Sequence, residues 1–95
     1  MTKLEKLTPA QVEAGLARLD EWSTLNDAIQ RTYLFKDFNA AIAFVNQIAA
    51  FAEAADHHPD ILIRYNKVTL TLSTHDAGGI TEKDFALAEK ADAAV

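Results

Sequence analysis

The spacing of apolar positions switches between helical and strand-like along the chain, and each switch marks an element. Val12, Leu16 and Leu19 fall at helical spacing. They follow Thr8-Pro9-Ala10-Gln11, which reads as a threonine N-cap, a proline at the first helical position and a glutamine completing a capping box. A helix is predicted over 8–20, with Gly15 weakening it by up to about 1 kcal/mol relative to alanine. Residues 22–25 suit a short strand, and Asn26-Asp27 a turn, since both residues tolerate positive φ. Over 28–35, Ile29, Arg31, Tyr33 and Phe35 alternate with Ala28, Gln30, Thr32 and Leu34, the period of a strand. Arg31 thereby falls on an otherwise apolar face, a conflict the pattern alone does not explain.

Asp37 is a suitable N-cap for a second helix over 38–54. Ala41, Phe44, Val45, Ile48, Phe51 and Ala55 form its apolar face. The opposite side carries Asn39, Asn46, Gln47 and Glu53, but also Ala40, Ala43 and Ala50, and is weakly polar. Pro59 holds His58 extended, so this helix ends before the histidine pair is complete. Strands are predicted at 61–65 and 68–73, joined at Asn66-Lys67. In the second of them Val68, Leu70 and Leu72 face one way and Thr69, Thr71 and Ser73 the other, and His75 would extend the polar face. Gly78-Gly79 supplies a turn. Thr81-Glu82-Lys83-Asp84 is a second capping box, opening a last helix with Phe85, Leu87, Ala88 and Ala91 on its apolar side. The order is helix, hairpin, helix, hairpin, helix. Adjacent strand pairs point to an α+β fold, an antiparallel sheet with helices packed on one face, in one domain over 1–95.

Composition narrows the function. The 95 residues carry 14 acidic against 9 basic side chains, a net charge of −5, with the basic ones scattered. Direct nucleic-acid binding, which depends on neutralising phosphates, is disfavoured. There is no cysteine, which excludes a thiol nucleophile and thiolate zinc sites. The amino terminus lacks a signal-peptide core, and no run reaches the roughly 18 apolar residues of a spanning helix. A cytoplasmic protein without membrane partners is expected. A domain this small has little core, so oligomerisation is a reasonable source of further burial.

The three histidines, His57, His58 and His75, all fall in loops flanking strands. Imidazole exchanges protons near neutral pH, so these loops could form an acid–base pocket. Equally, His57-His58-Pro59 could simply end a helix, where a histidine suits the dipole. A three-histidine zinc site is a rival, with Glu53 or Asp56 supporting it. Against it, adjacent histidines in extended backbone point to opposite sides. Asp56 and Asp60 flank the pair and could orient imidazoles, or serve only as helix-end and turn residues. Asp84 reads first as a capping residue. Trp22, Tyr33 and Phe38 read as core aromatics rather than a stacking platform.

Together these segments resemble the pterin-4a-carbinolamine dehydratase family, also known as the dimerisation cofactor of a homeodomain transcription factor. The resemblance rests on Glu53, three residues, His57-His58-Pro59, five residues, Tyr65, nine residues, His75, eight residues, Asp84. Trp22, Tyr33-Leu34-Phe35-Lys36-Asp37-Phe38 and Thr74-His75-Asp76-Ala77-Gly78-Gly79-Ile80-Thr81 flank it, with Tyr33 where phenylalanine is usual and Ile80 where leucine is common. The resemblance implies an α+β subunit with a four-stranded antiparallel sheet and three helices on one side, assembled as dimers and often tetramers. It implies loss of water from 4a-hydroxytetrahydropterin, in tetrahydrobiopterin recycling, without metal or organic cofactor. The implied catalytic group is His57, His58 and His75. Proton transfers are expected of His57 and His75, and binding and orientation of His58 with Glu53 and Asp56. Trp22, Thr74 and Asp84 are the further substrate-binding positions implied. A non-catalytic dimerisation module and pterin handling in molybdopterin metabolism remain alternatives.

Overall fold

In the computed structural model, which describes residues 4–95, the chain forms three helices and four strands in the predicted order. These are α1 (Pro9–Leu16), β1 (Ser23–Leu25), β2 (Ala28–Leu34), α2 (Phe38–Ala55), β3 (Asp60–Arg64), β4 (Lys67–Leu72) and α3 (Glu82–Ala93). The two hairpins join through their inner strands, so the antiparallel sheet runs β1-β2-β4-β3. Ile29, Tyr33, Val68, Leu70 and Leu72 point from the sheet into one core, where Ala41, Phe44 and Ile48 of α2 and Leu87, Ala88 and Ala91 of α3 cover them. The opposite face carries Gln30 bonded to Thr71 and Thr32 bonded to Thr69.

Several boundaries differ from those the sequence predicts, each for a local reason. Helix α1 opens on the predicted capping box but stops at Leu16, not at residue 20. There the bonding tightens, with Arg18 N–H donating to Gly15 O and Leu19 N–H to Leu16 O, which turns Leu19 and Trp22 into the core. Gly15 is not merely a weak point. A Cβ there would lie 2.7 Å from the Phe85 ring, so only glycine lets α1 lie this close to α3. The second hairpin turns at Tyr65-Asn66 instead of Asn66-Lys67. Tyr65 takes φ 53°, and Asn66 is latched to Phe35 by its side chain and by its carbonyl. Lys67 is thereby left to pair in β4. In α2 it is Ala52 that is buried, while Ala55, expected on the apolar face, is exposed at the helix end. Phe38, expected in the core, is 48% exposed. By length and composition alone α2 is apolar enough to cross a membrane, which the sequence reading did not anticipate. Its inner face is nonetheless packed on the sheet.

Arg31 is resolved by α3. Its Nη1 lies 2.8 Å from Asp92 Oδ1, and its guanidinium sits 4.2 Å from the Tyr33 ring centroid. The same carboxylate oxygen accepts from Trp22 Nε1 at 3.0 Å and from the Tyr33 hydroxyl. Burial, and then the Asp92 acceptor, push the Tyr33 pKa well above its ordinary value, with Arg31 opposing. The native state therefore keeps a proton that the unfolded chain releases above about pH 10. With fewer protons bound in the unfolded state, stability falls as pH rises beyond that point, by up to about 1.4 kcal/mol per unit. Denaturant midpoints should drop on the alkaline side of about pH 10, and Tyr33→Phe should show a shallower drop.

Candidate active site

The site is built where α2 ends and where β4 leaves the sheet. Asp56 stops α2 in the left-handed conformation, φ 49°, a geometry aspartate tolerates better than most residues. The chain then turns back, with His57 N–H donating to Ala52 O at 3.0 Å. Of the histidine pair that follows, His57 is buried and His58 exposed. On the other side Ser73 leaves the sheet and donates to Asp27 O at 2.8 Å. Thr74 and Gly79 close a loop by exchanging backbone bonds. Inside it His75–Ala77 form one 3-10 turn, so His75 does not prolong the polar face of the strand as its period suggested.

Asp84 ties the two loops together from behind. It is fully buried, and its Oδ1 lies 2.6 Å from His57 Nε2. Its Oδ2 accepts from the Thr74 hydroxyl and from Thr81 N–H, both at 2.9 Å. Since Thr74 donates to Asp84, the Thr81 hydroxyl, 2.7 Å away, donates to Thr74. The residue that caps α3 thus also receives His57. An acceptor at Nε2 holds that ring proton in place and leaves Nδ1 as the nitrogen open to proton exchange.

His57, His58, Thr74, His75 and Asp56 line one open cavity of about 450 Å3. Glu53 reaches the site through His58, whose Nε2 bonds its carboxylate. Both side chains are largely exposed. Asp84 stands behind the cavity wall, in contact with His57 and Thr74 instead of open space. Trp22 does not join the group, because its indole is buried and bound to Asp92 on the far end of α3. Among the described residues no three His, Asp or Glu side chains are grouped to hold a metal ion. The cavity also takes in residues the motif reading did not single out, including Leu4, Asp76 and Lys83. Asp76 and Lys83 adjoin marked positions and could have been flagged by proximity. Leu4 lies in a segment with no periodic signal.

The model of the pterin 4 alpha carbinolamine dehydratase family matches residues 5–94. The chain belongs to that family. It is 57% identical over 83 residues, 87% of its length and 90% of the relative's, to a candidate pterin-4-alpha-carbinolamine dehydratase of Picosynechococcus sp.. It is 55% identical over 89 residues, 94% of its length and 96% of the relative's, to one of Chloroflexus aurantiacus. Among solved structures, a transcriptional coactivator/pterin dehydratase from Brucella melitensis superposes with a TM-score of 0.92 at 40% identity, covering 95% of this chain and 98% of that one. A pterin dehydratase-like RuBisCO assembly factor of the alpha-carboxysome shares the fold, with a TM-score of 0.63 at 24% identity over 77% of this chain and 84% of that one. The dehydratase-family fold is therefore the one described above, with three helices on an open four-stranded antiparallel sheet.

Proposed function

We propose that this dehydratase-family protein removes water from a 4a-hydroxytetrahydropterin to give the quinonoid dihydropterin, with its histidines as acid and base. The observation that carries this reading is His57, fixed by a buried carboxylate, sharing one cavity with His75 and His58. Hydroxide is a poor leaving group. Its oxygen must gain a proton as the C4a–O bond breaks, while the N5 lone pair forms the new double bond to C4a. The N5 proton then leaves to a base, so water and quinonoid dihydropterin are the only products. His57 and His75 take these two transfers, each of a kind worth about 10²–10⁴-fold. His57 exchanges its proton through Nδ1, the nitrogen that Asp84 leaves open. His58, steadied by Glu53, and Asp56 at the cavity edge bind and orient the pterin ring. Thr74 and Asp84 act through His57 as positioning residues. Trp22 supports the fold and does not touch substrate. A place in tetrahydrobiopterin recycling, in the cytoplasm, fits this chemistry.

No step here requires a metal or an organic cofactor. Turnover of the carbinolamine by exhaustively chelated protein should equal that of untreated protein, with no stoichiometric metal on elemental analysis. Loss of turnover on chelation, restored by zinc, would replace the proton-transfer scheme with a metal-bound one.

We further propose a homodimer or homotetramer. Helix α2 has one charged residue, Glu53, in 18 positions, and Ala43 and Ala50 are exposed on its outer side. Small side chains allow close helix packing between subunits. Strand β3 adds an unpaired sheet edge carrying exposed Ile61 and Leu62. Such surfaces also suit an interaction module, the second reading of this chain. Light scattering at micromolar protein should give a mass well above the 10.4 kDa of one chain. A clean monomer would contradict the assembly.

A further inference from the structure

We propose that Leu4, on the strap that precedes α1, forms the apolar wall against which the pterin ring packs. The inference rests on the pterin reading of the cavity and names a binding residue within it. Three histidines, two aspartates, Ser73, Thr74 and Lys83 make that cavity's lining polar, and among the described residues its only apolar side chains are those of Leu4 and Ala77. A pterin hydrogen-bonds through the edge of its pyrimidine ring, but the faces of its ring system gain from leaving water for apolar surface. Among the described residues Leu4 is the only large apolar side chain that offers such a surface.

The strap is held where it can do this. Leu7 N–H donates to Ile80 O at 2.8 Å. One step further back, the Lys6 methylenes lie on Gly79, where a Cβ would come within 2.8 Å of Lys6 Cε. Lys6 Nζ also reaches Asp27 Oδ1 at 3.4 Å, an exposed pair that adds little to stability. Gly79 closes the loop that carries His75 through its bonds with Thr74. The backbone bond and the glycine contact therefore register Leu4 against the same loop that positions His75. Leu4 itself is only partly buried, so its truncation leaves the core intact.

The test uses the full chain and oxidised biopterin, a pterin that cannot dehydrate, followed by fluorescence quenching. Leu4→Ala should raise its Kd about tenfold, the low end of the range for an aliphatic contact, because Leu4 is only partly buried. It should raise KM for the carbinolamine by a similar factor, leave kcat within about twofold, and leave the thermal midpoint unchanged. Leu4→Met should restore most of the affinity. If wild type turns over while Leu4→Ala matches it in Kd and KM, the inference is overturned and the dehydratase reading stands. If wild type neither binds biopterin nor turns over, the dehydratase reading fails and this inference with it.

Discussion

Replacing His57 with alanine should lower kcat and kcat/KM together, by about 10²–10⁴-fold, while the protein stays folded. A group that moves a proton contributes mainly in the transition state, so its loss appears in both parameters with little change in KM. His75→Ala should behave alike, although His75 lies exposed on its 3-10 turn and its ring makes no hydrogen bond among the described residues. Because both groups serve one reaction, the double variant should lose less than the product of the single losses. His58→Ala should differ in kind. Its ring is exposed and bonded to Glu53, so its loss should raise KM at least as much as it lowers kcat. The carbinolamine also dehydrates unaided, and each residual rate must be measured above that background. Removal of His57 leaves Asp84 with Thr74 and Thr81 as partners, so circular dichroism should show a native helix content. Normal kcat in both His57→Ala and His75→Ala, with kcat abolished in His58→Ala, would invert the roles.

Asp84→Asn should cost about 10²-fold in kcat, the scale of a weakened acid–base step, with a much smaller effect on KM. Asp84 accepts on both oxygens, from His57 on one and from Thr74 and Thr81 N–H on the other. An asparagine has one acceptor oxygen and one donor NH2. Turning the NH2 toward Thr74 and Thr81 would set donor against two donors in a fully buried site. The lower-energy arrangement turns it toward His57, whose ring must then accept at Nε2 and carry its proton on Nδ1. Either transfer through Nδ1 passes through the imidazolium, which needs a proton on Nε2 that an NH2 facing it opposes. Nitrogen NMR of labelled histidine would read the switch directly. An unchanged tautomer with unchanged kcat would remove Asp84 from the catalytic scheme. Asp84→Ala is the less informative variant, because it also leaves Thr81 N–H and the Thr74 hydroxyl unpaired, at roughly 1–3 kcal/mol for each buried group.

What could be read from the chain follows the range of the interactions. The capping boxes at Thr8 and Thr81, the Asp37 cap and the alternation of Val68, Leu70 and Leu72 are contacts between near neighbours, and all appear in the structure. The end of α2 before the histidine pair was equally legible, since it follows from Pro59 two positions on. The end of α1 was not, because Leu19 continues the helical spacing while the chain tightens to bury it. The Arg31 conflict could not be settled locally, as its partner Asp92 lies 61 residues away. Asp84 shows both ranges at once. Its capping role is visible from Thr81 three residues earlier, whereas its bond to His57 spans 27 residues. Within the cavity, residues of the spaced signature were found and Leu4, outside every periodic segment, was not.

The central claim is proton-assisted dehydration of a pterin carbinolamine, and stopped-flow absorbance measures it most directly. Freshly generated 4a-hydroxytetrahydropterin should decay with a first-order constant that rises in proportion to catalytic amounts of the protein. The His57→Ala, His75→Ala double variant should give a slope close to zero. Decay at the uncatalysed rate at every concentration of folded wild-type protein would contradict the claim.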